Sequence, residues 1–254
     1  MSKSEQLDFL IGILQPSVTI PQSIEDKWRV FRSLVNVREP KPVADDFLQV
    51  QNELLQSLIA EKGITDIADL KPLKDNICLW RGDITTLRVD AIVNAANSAM
   101  LGCFVPCHAC IDNAIHTFAG IQLRLECADI MKKQGYPEPT GAAKITAAYN
   151  LPCRHVIHTV GPIIQYQLTQ GHCDALASCY RSCLEIAGEH GLESIAFCCI
   201  STGEFRFPKQ KAAEIAVQTV REFQSHDTRV KRVIFNVFTD EDCLIYKNIL
   251  SVKA

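Results

Sequence analysis

The sequence predicts an α/β protein in which a mostly parallel β-sheet lies between two layers of helices, preceded by a helical extension. Two observations predict this fold. From Ile77 onward, short β-branched runs alternate with longer amphipathic segments, which is the pattern of a sheet covered by helices on both faces. Before that point the pattern is helical only, and all 12 cysteines lie at or after Cys78. We therefore predict a helical extension over residues 1–75 and an α/β domain over residues 76–254.

Three amphipathic helices are predicted within the extension. Its apolar residues recur at intervals of three and four; they are Leu7, Leu10, Ile11 and Leu14, then Ile24, Trp28 and Phe31, then Phe47, Val50, Leu54 and Leu58. Pro16 and Pro21 separate the first two helices, and Gly63 suits the position just after the third. A segment of this size encloses little core alone, so we expect it to pack on the α/β domain. It holds no residues that suggest chemistry.

Six strands and three helices are predicted in the α/β domain. The strand candidates are residues 77–80, 91–95, 144–149, 155–159, 194–200 and 233–238. The helices are predicted near residues 112–133, 173–189 and 208–224. Sheets of this type bind ligands beyond the carboxyl ends of their strands. The segments at those ends are therefore where a site is expected.

Composition excludes several classes of protein. The chain has 254 residues, of which 47% are apolar and 22% are charged, and its formal net charge is -3. That charge gives no general attraction to nucleic acid or to anionic membranes. The N-terminal residues lack the pattern of a signal peptide, and no apolar run approaches the roughly 20 residues of a membrane span. We expect a cytoplasmic protein whose cysteines are reduced thiols or metal ligands, and which binds neither nucleic acid nor membrane.

One short segment, residues 101–120, contains three thiols and two imidazoles. Cys103, His108 and Cys110 offer the sulfur and nitrogen ligands that suit zinc, and their spacing lets one loop converge on a single ion. Three protein ligands would leave one coordination position open, as in catalytic zinc sites. Cys107 as a fourth ligand would instead close the site, as in structural zinc sites. The open site is the favoured interpretation.

Most of the other thiols are predicted to pack in the core. Cys198 and Cys199 lie in an apolar run, and Cys179 and Cys183 are one helical turn apart. His116 falls in the first turns of a predicted helix, where packing or a hydrogen bond is favoured over metal ligation.

Four segments near strand ends carry polar or glycine-rich sequence, and we expect all four to follow strands. They are residues 81–85, 94–97, 140–143 and 201–208. The last joins a strand to a helix, and Gly203 with the free amides of the helix start would suit an anion such as a diphosphate. Asp83 is suited either to an exocyclic amine or to an N-cap, and Asn97 either to a ribose diol or to a turn.

Taken together, these segments resemble a macrodomain over residues 77–254. The matching stretches are 81–85 (RGDIT), 91–97 (AIVNAAN), 140–146 (TGAAKIT), 149–152 (YNLP), 155–162 (HVIHTVGP) and 200–208 (ISTGEFRFP). Ordinary macrodomains follow the AIVNAAN strand with a glycine-rich loop that covers the distal ribose of ADP-ribose. Residues 102–110 (GCFVPCHAC) stand in its place here. This replacement is similar to the bacterial zinc-dependent macrodomains that also carry an N-terminal helical extension.

The resemblance implies a three-layer macrodomain with a mixed, mostly parallel sheet and one Zn²⁺ per chain, held by Cys103, His108 and Cys110. It also implies a hydrolase that releases ADP-ribose from mono-ADP-ribosylated protein, with an Asp or Glu ester as the linkage. The implied protein partner is a lipoyl-carrier protein similar to the glycine-cleavage H protein, modified by a sirtuin-type transferase.

The resemblance further assigns ADP-ribose contacts to individual residues. Asp83 and Ile84 would take the adenine end. Asn97, Asp112 and Asn113 would face the distal ribose, and these three are the candidate catalytic residues. The remaining contacts would come from Cys110 and Ile111 and from the diphosphate loop, Ser201, Thr202, Gly203, Glu204 and Phe205.

The chain departs from the familiar macrodomain pattern in the diphosphate loop, where Glu204 and Arg206 replace apolar and glycine residues. We expect backbone amides to hold the phosphates, with the Glu204 carboxylate turned away. Two alternatives stay open: a reader module that binds ADP-ribose without turnover and has a structural zinc loop, and a structural zinc loop on a domain for another nucleotide or RNA. Because the extension lacks candidate ligand residues, we expect ADP-ribose binding to survive its deletion.

Overall fold

The computed structural model describes residues 1–73 and 75–251; Lys74 and residues 252–254, which fall in the two predicted domain ranges, lie outside the described residues. The helices are α1 (Lys3–Leu14), α2 (Ile24–Val37), α3 (Asp45–Lys62), α4 (Ile111–Ala119), α5 (Ile121–Gln134), α6 (Gln170–Glu189), α7 (Lys209–His226) and α8 (Asp240–Ser251). The strands are β1 (Thr65–Asp66), β2 (Ile77–Arg81), β3 (Leu87–Arg88), β4 (Ala91–Ala96), β5 (Ala143–Ala147), β6 (His155–Val160), β7 (Ser194–Phe197) and β8 (Arg232–Val237).

The centre of the molecule is a six-stranded sheet in the order β2-β8-β7-β4-β6-β5. Every neighbouring pair is parallel except β5 and β6, so the sheet is mixed only at one edge. Helix α7 packs on both α6 and α8, whereas α4 packs on α5 and on α2 and α3 of the extension. Every residue of β7 is buried, so this strand is covered on both faces of the sheet, as expected of parallel strands between two layers of helices. The predicted macrodomain-type α/β fold is confirmed.

The extension contains α1, α2 and α3, as its helical periods predict, and also the unpredicted strand β1, which pairs in parallel with β3. Its buried residues, among them Leu10, Phe47 and Leu54, belong to the same continuous core as the sheet. Trp28 on α2 stacks at 5.7 Å between ring centroids on Phe118 of α4. The extension therefore shares its hydrophobic core with the α/β domain.

Two expectations about the α/β domain were wrong, and one of its helices was not predicted. The helix predicted over 112–133 is two helices, because Gly120 adopts a φ of +95° that L-residues rarely adopt and breaks the chain between α4 and α5. The C-terminal helix α8 was not predicted. Residues 140–143 do not follow a strand but lead into β5, which begins at Ala143. Because β5 runs antiparallel to β6, this segment still lies beside the carboxyl end of β6. Within the described residues, no helix combines the length and the apolar character needed to cross a membrane.

Candidate active site

A cleft of about 600 Å³ opens at the carboxyl ends of β4, β7 and β8. This is where the strand order of an open parallel sheet places ligand sites. Its walls are the end of β4 with Asn97, the loop from Gly102 to Cys110, the start of α4, the segment from Ser201 to Phe205, and residues just after β8. Two of the four predicted polar segments, residues 94–97 and 201–208, therefore contribute to one cavity.

The predicted metal ligands converge on one side of this cleft. The ligand atoms of Cys103, His108 and Cys110 lie within 4.8 Å of one another, and Cys103 Sγ is 3.6 Å from His108 Nδ1. All three side chains are half-buried. Two thiols and one imidazole at such distances fit the ligand set and the size of a tetrahedral zinc site. The group can therefore hold one ion, and it borders the cavity.

Cys107 lies outside this ligand group. Its Sγ is 3.5 Å from the carbonyl oxygen of Arg29, and its backbone has a left-handed φ of 53°.

Cys110 is the N-cap of α4 and accepts a hydrogen bond from the Asn113 amide at 3.4 Å. Burial raises the pKa of Cys110 to about 12, against the effect of that hydrogen bond. Metal binding at this group would therefore release the proton of the Cys110 thiol.

Asp112 and Asn97 lie beside the metal loop and face the cleft. Asn94 Nδ2 donates to Asp112 Oδ1 at 2.8 Å, and Asn97 Nδ2 donates to Asp112 Oδ2 at 3.4 Å and to the Gly102 carbonyl at 3.1 Å. Burial raises the pKa of Asp112 to about 6, although the hydrogen bond from Asn94 acts in the opposite direction. Both hydrogens of Asn97 Nδ2 are used in these bonds, so Asn97 fixes the carboxylate, and Asp112 lines this end of the cavity as a fixed acceptor.

Asn113, the third predicted catalytic residue, does not line the cleft. Its side chain is fully buried, with Nδ2 donating to the Val105 carbonyl at 3.0 Å and Oδ1 accepting from Arg32 Nη2 at 2.7 Å. Successive helical residues point about 100° apart, so Asp112 and Asn113 do not face the same cavity. In this conformation Asn113 offers no direct contact to a ribose and instead ties the metal loop to α2.

The predicted diphosphate loop forms the opposite wall. Ser201 has a left-handed φ of 64°, and its buried Oγ, on the wall of the cleft, has no hydrogen-bond partner. A Cβ at Gly203 would meet nothing within 4 Å, so open space borders the backbone there. The Glu204 carboxylate points to the metal loop, with Oε1 3.6 Å from His108 Nε2. The loop thus leaves a polar backbone and one unsatisfied hydroxyl free for an anion.

Gly161 shapes this wall from behind. A Cβ there would overlap Ser201 Oγ and would approach Ile200 Cγ2 to 2.9 Å. Only glycine leaves the space that the Ser201 side chain occupies.

Asp83 and Ile84 are not among the residues that line the cleft. Asp83 caps a short 3₁₀ turn by accepting from the Thr85 amide at 3.0 Å, and it pairs with Lys62 Nζ of α3 at 2.8 Å. Burial raises the pKa of Asp83, but the hydrogen bonds from Lys62 and Thr85 outweigh it, so that the pKa lies below its ordinary value. A contact of Asp83 with adenine therefore stays a prediction.

Sequence reasoning missed the part of the cleft that follows β8. This wall is formed by Asn236, Phe238, Thr239 and Asp242, and the Phe238 side chain is 74% exposed. The rule that ligands bind beyond strand ends applies to β8 as well and would have found it. Cys199, assigned to core packing, also reaches the cleft.

A second group of metal-ligand types, His116, Cys127 and His158, is buried between α4, α5 and β6. The His158 ring is already hydrogen-bonded on both sides, to Asn94 Nδ2 at 3.1 Å and to Thr146 Oγ1 at 3.0 Å. His116 Nε2 lies 3.5 Å from Asp112 Oδ1. His116 and His158 therefore lie in a buried cluster of polar side chains behind Asp112. This agrees with the prediction that His116 packs or forms a hydrogen bond.

Comparison with known proteins agrees with this geometry. The Macro domain family model matches residues 93–216. The chain is 54% identical over 261 residues to a protein named protein-ADP-ribose hydrolase from Treponema medium, covering 99% of this chain and 100% of the relative. It is 50% identical to a protein of the same name from Staphylococcus aureus strain MSSA476, covering 100% of this chain and 98% of the relative.

Solved structures give the same result. A Trypanosoma brucei macrodomain in complex with ADP-ribose superposes with a TM-score of 0.66 at 31% identity, covering 87% of this chain and 95% of that one. An Oceanobacillus iheyensis macrodomain with ADP superposes with a TM-score of 0.64 at 37% identity, covering 71% of this chain and 93% of that one. With this fold, this cleft and relatives about half identical along their whole length, the chain belongs to the Macro domain family.

Proposed function

We propose that the protein is a zinc-dependent hydrolase that releases ADP-ribose from mono-ADP-ribosylated protein, with an Asp or Glu ester as the linkage. The observation that carries the proposal is the convergence of Cys103, His108 and Cys110 on the cleft wall that also holds Asn97 and Asp112. The names of the relatives support the activity, and the macrodomain solved with ADP-ribose supports the ligand.

The cleft suggests how ADP-ribose would lie. The diphosphate would bind the backbone amides of Ser201 and of residues 203–205 together with the unpartnered Ser201 hydroxyl, since the Thr202 amide already donates to the Cys199 carbonyl. The distal ribose would then reach Asn97 and Asp112. The adenine end would extend toward Phe238, which offers an exposed ring for stacking, and from there toward Asp83 and Ile84.

The chemistry divides between the metal and the chain. A zinc ion held by Cys103, His108 and Cys110 would act as a Lewis acid that polarises an oxygen or activates water. Asp112 accepts a hydrogen bond from a ribose hydroxyl, and Asn97 fixes the carboxylate that does so. The ligand also fills the cavity and excludes bulk water, which strengthens these polar contacts. An ester of Asp or Glu needs little further help, because a carboxylate is a good leaving group.

The protein substrate follows from the resemblance alone: we propose a lipoyl-carrier protein similar to the glycine-cleavage H protein, modified by a sirtuin-type transferase.

The test is to incubate zinc-loaded protein with a target ADP-ribosylated on Asp or Glu and to measure free ADP-ribose. We expect release, and we expect a target modified on arginine to stay modified, because its leaving group is poorer. Tight binding of ADP-ribose with no release from either target would identify a reader module instead.

A further inference from the structure

The metal loop is held from outside by the N-terminal extension. Asn36, in the last turn of α2, accepts a hydrogen bond from the backbone amide of Cys107 at 2.9 Å. Its Nδ2 donates to Thr117 Oγ1 on α4 at 3.0 Å. The side chain is 1% exposed, so both bonds are shielded from water. Asn36 thus joins the middle of the loop to α4 through α2.

Arg32 lies one turn earlier on the same face of α2 and makes a second connection. Its Nη2 donates to the His108 carbonyl at 2.9 Å and to Asn113 Oδ1 at 2.7 Å. Asn113 in turn donates to the Val105 carbonyl at 3.0 Å. The planar guanidinium therefore links a candidate metal ligand to the residue that fixes the preceding part of the loop.

These contacts fall between the first and the last candidate ligands of the loop. Cys107 adopts a left-handed φ of 53°, which costs energy for any residue other than glycine. The hydrogen bond from its amide to Asn36 compensates for that conformation. Without α2, the Cys107 amide and the His108 carbonyl would lose their side-chain partners. The contact of Asn113 with the Val105 carbonyl would then hold only the preceding part of the loop.

We propose that Arg32 and Asn36 are positioning residues of the metal site, so that the extension forms part of it. This inference rests on the proposed function, and it reverses the expectation that the extension is separable from the site. The residues touch no ligand atom and act through the loop backbone. Outer-shell partners of this kind orient metal ligands before the ion binds.

The experiment compares Asn36→Leu and Arg32→Met with a matched control, Gln51→Met. Gln51 is also 1% exposed and also joins the extension to the α/β domain, but through the Ile121 amide at 3.1 Å and Gln122 Oε1 at 2.8 Å. Zinc affinity is measured by competition with a chromogenic chelator, and ADP-ribose binding by calorimetry on the same preparations. Urea unfolding reports the stability of each variant.

We expect Asn36→Leu and Arg32→Met to weaken zinc binding about 10–100-fold, as substitutions of outer-shell partners do. Gln51→Met should keep wild-type zinc affinity even where its unfolding midpoint falls. Arg32→Lys, which keeps the charge and one donor, should lie between wild type and Arg32→Met. The proposal would be overturned if Asn36→Leu and Arg32→Met kept wild-type zinc affinity, or if Gln51→Met lost as much zinc affinity as they do.

Hydrogen exchange of the amides of residues 103–110 in zinc-free protein separates this proposal from the proposed function. We expect faster exchange in Asn36→Leu than in wild type. If the wild type takes up no zinc, but exchange is faster in Asn36→Leu than in the wild type, the proposed metal is overturned and the contact with α2 stands. If the wild type binds zinc, but exchange is equal in the two proteins, the positioning function alone is overturned.

Discussion

Replacing Arg124 should loosen the attachment of the extension. Its buried Nη1 donates to the carbonyl oxygens of Val35 at 3.0 Å, Asn36 at 2.9 Å and Arg38 at 2.6 Å. The last carbonyls of a helix have no partner within the helix, so Arg124 satisfies the end of α2. The guanidinium also lies 4.3 Å from the centre of the Phe104 ring in the metal loop.

The expected cost follows from these contacts. A hydrogen bond from a charged donor contributes about 1.5–3 kcal/mol, and a partly exposed cation–π contact adds about 0.5–1 kcal/mol. One nitrogen serves all three carbonyls, so their contributions do not add in full. We expect Arg124→Met to lower the free energy of unfolding by about 2–4 kcal/mol.

Urea unfolding followed by tryptophan fluorescence measures this change, because Trp28 stacks on Phe31 and Phe118 at the attachment. Arg154→Met is the control: its guanidinium pairs with Asp90 but is 66% exposed, so its loss should cost under about 1 kcal/mol. If Arg124→Met costs no more than Arg154→Met, the carbonyl contacts do not hold the extension.

Three further predictions concern the binding site and the core. Asp83→Ala should weaken ADP-ribose binding by about 1.5–3 kcal/mol in calorimetric titration, and unchanged affinity in a folded variant would remove Asp83 from the adenine site. Burial lowers the pKa of His158 to about 3, below the roughly 6.5 of an unfolded histidine. Its contribution to stability is therefore complete above pH 6.5 and falls on acidification by up to about 1.4 kcal/mol per pH unit. The raised pKa of Asp112 acts in the opposite direction, so the test compares wild type with His158→Gln: an equal change of both urea midpoints between pH 7 and pH 5 would contradict the effect of His158. Gly161→Ala should displace the Ser201 hydroxyl and weaken ADP-ribose binding about tenfold, or about 1.4 kcal/mol, whereas wild-type affinity would show that the hydroxyl is not used.

The sequence predicts all six strands of the central sheet, because each is a short apolar run, but the run 194–200 continues past the end of β7 at Phe197. The two-residue strands β1 and β3 were not predicted. Residues 155–159 were predicted for a strand that the structure extends to Val160. The break at Gly120 was missed because the apolar period continues from α4 into α5. The direction of β5 was missed because nothing in an edge strand's own residues shows which way it pairs.

The candidate site could be predicted in part, because neighbouring residues in one loop carry the thiol and imidazole ligands. The separation of Asp112 from Asn113 depends on the rotation of α4, which sequence alone does not fix. Contacts of α2 with the loop join residues more than 70 positions apart. The one local signal was that Trp28, Arg32 and Asn36 are spaced four apart and therefore share a helix face.

The most direct test of the metal-dependent hydrolase combines metal content, ADP-ribose binding and ADP-ribose release in the same folded preparations of four variants. We expect Cys103→Ala, His108→Ala and Cys110→Ala to lose zinc and release no ADP-ribose, while binding of free ADP-ribose survives in part through residues 201–205. Cys107→Ala should keep both metal and activity, because its thiol contacts the Arg29 carbonyl and not the ligand group. Full release of ADP-ribose by a variant shown to contain no zinc would contradict the account.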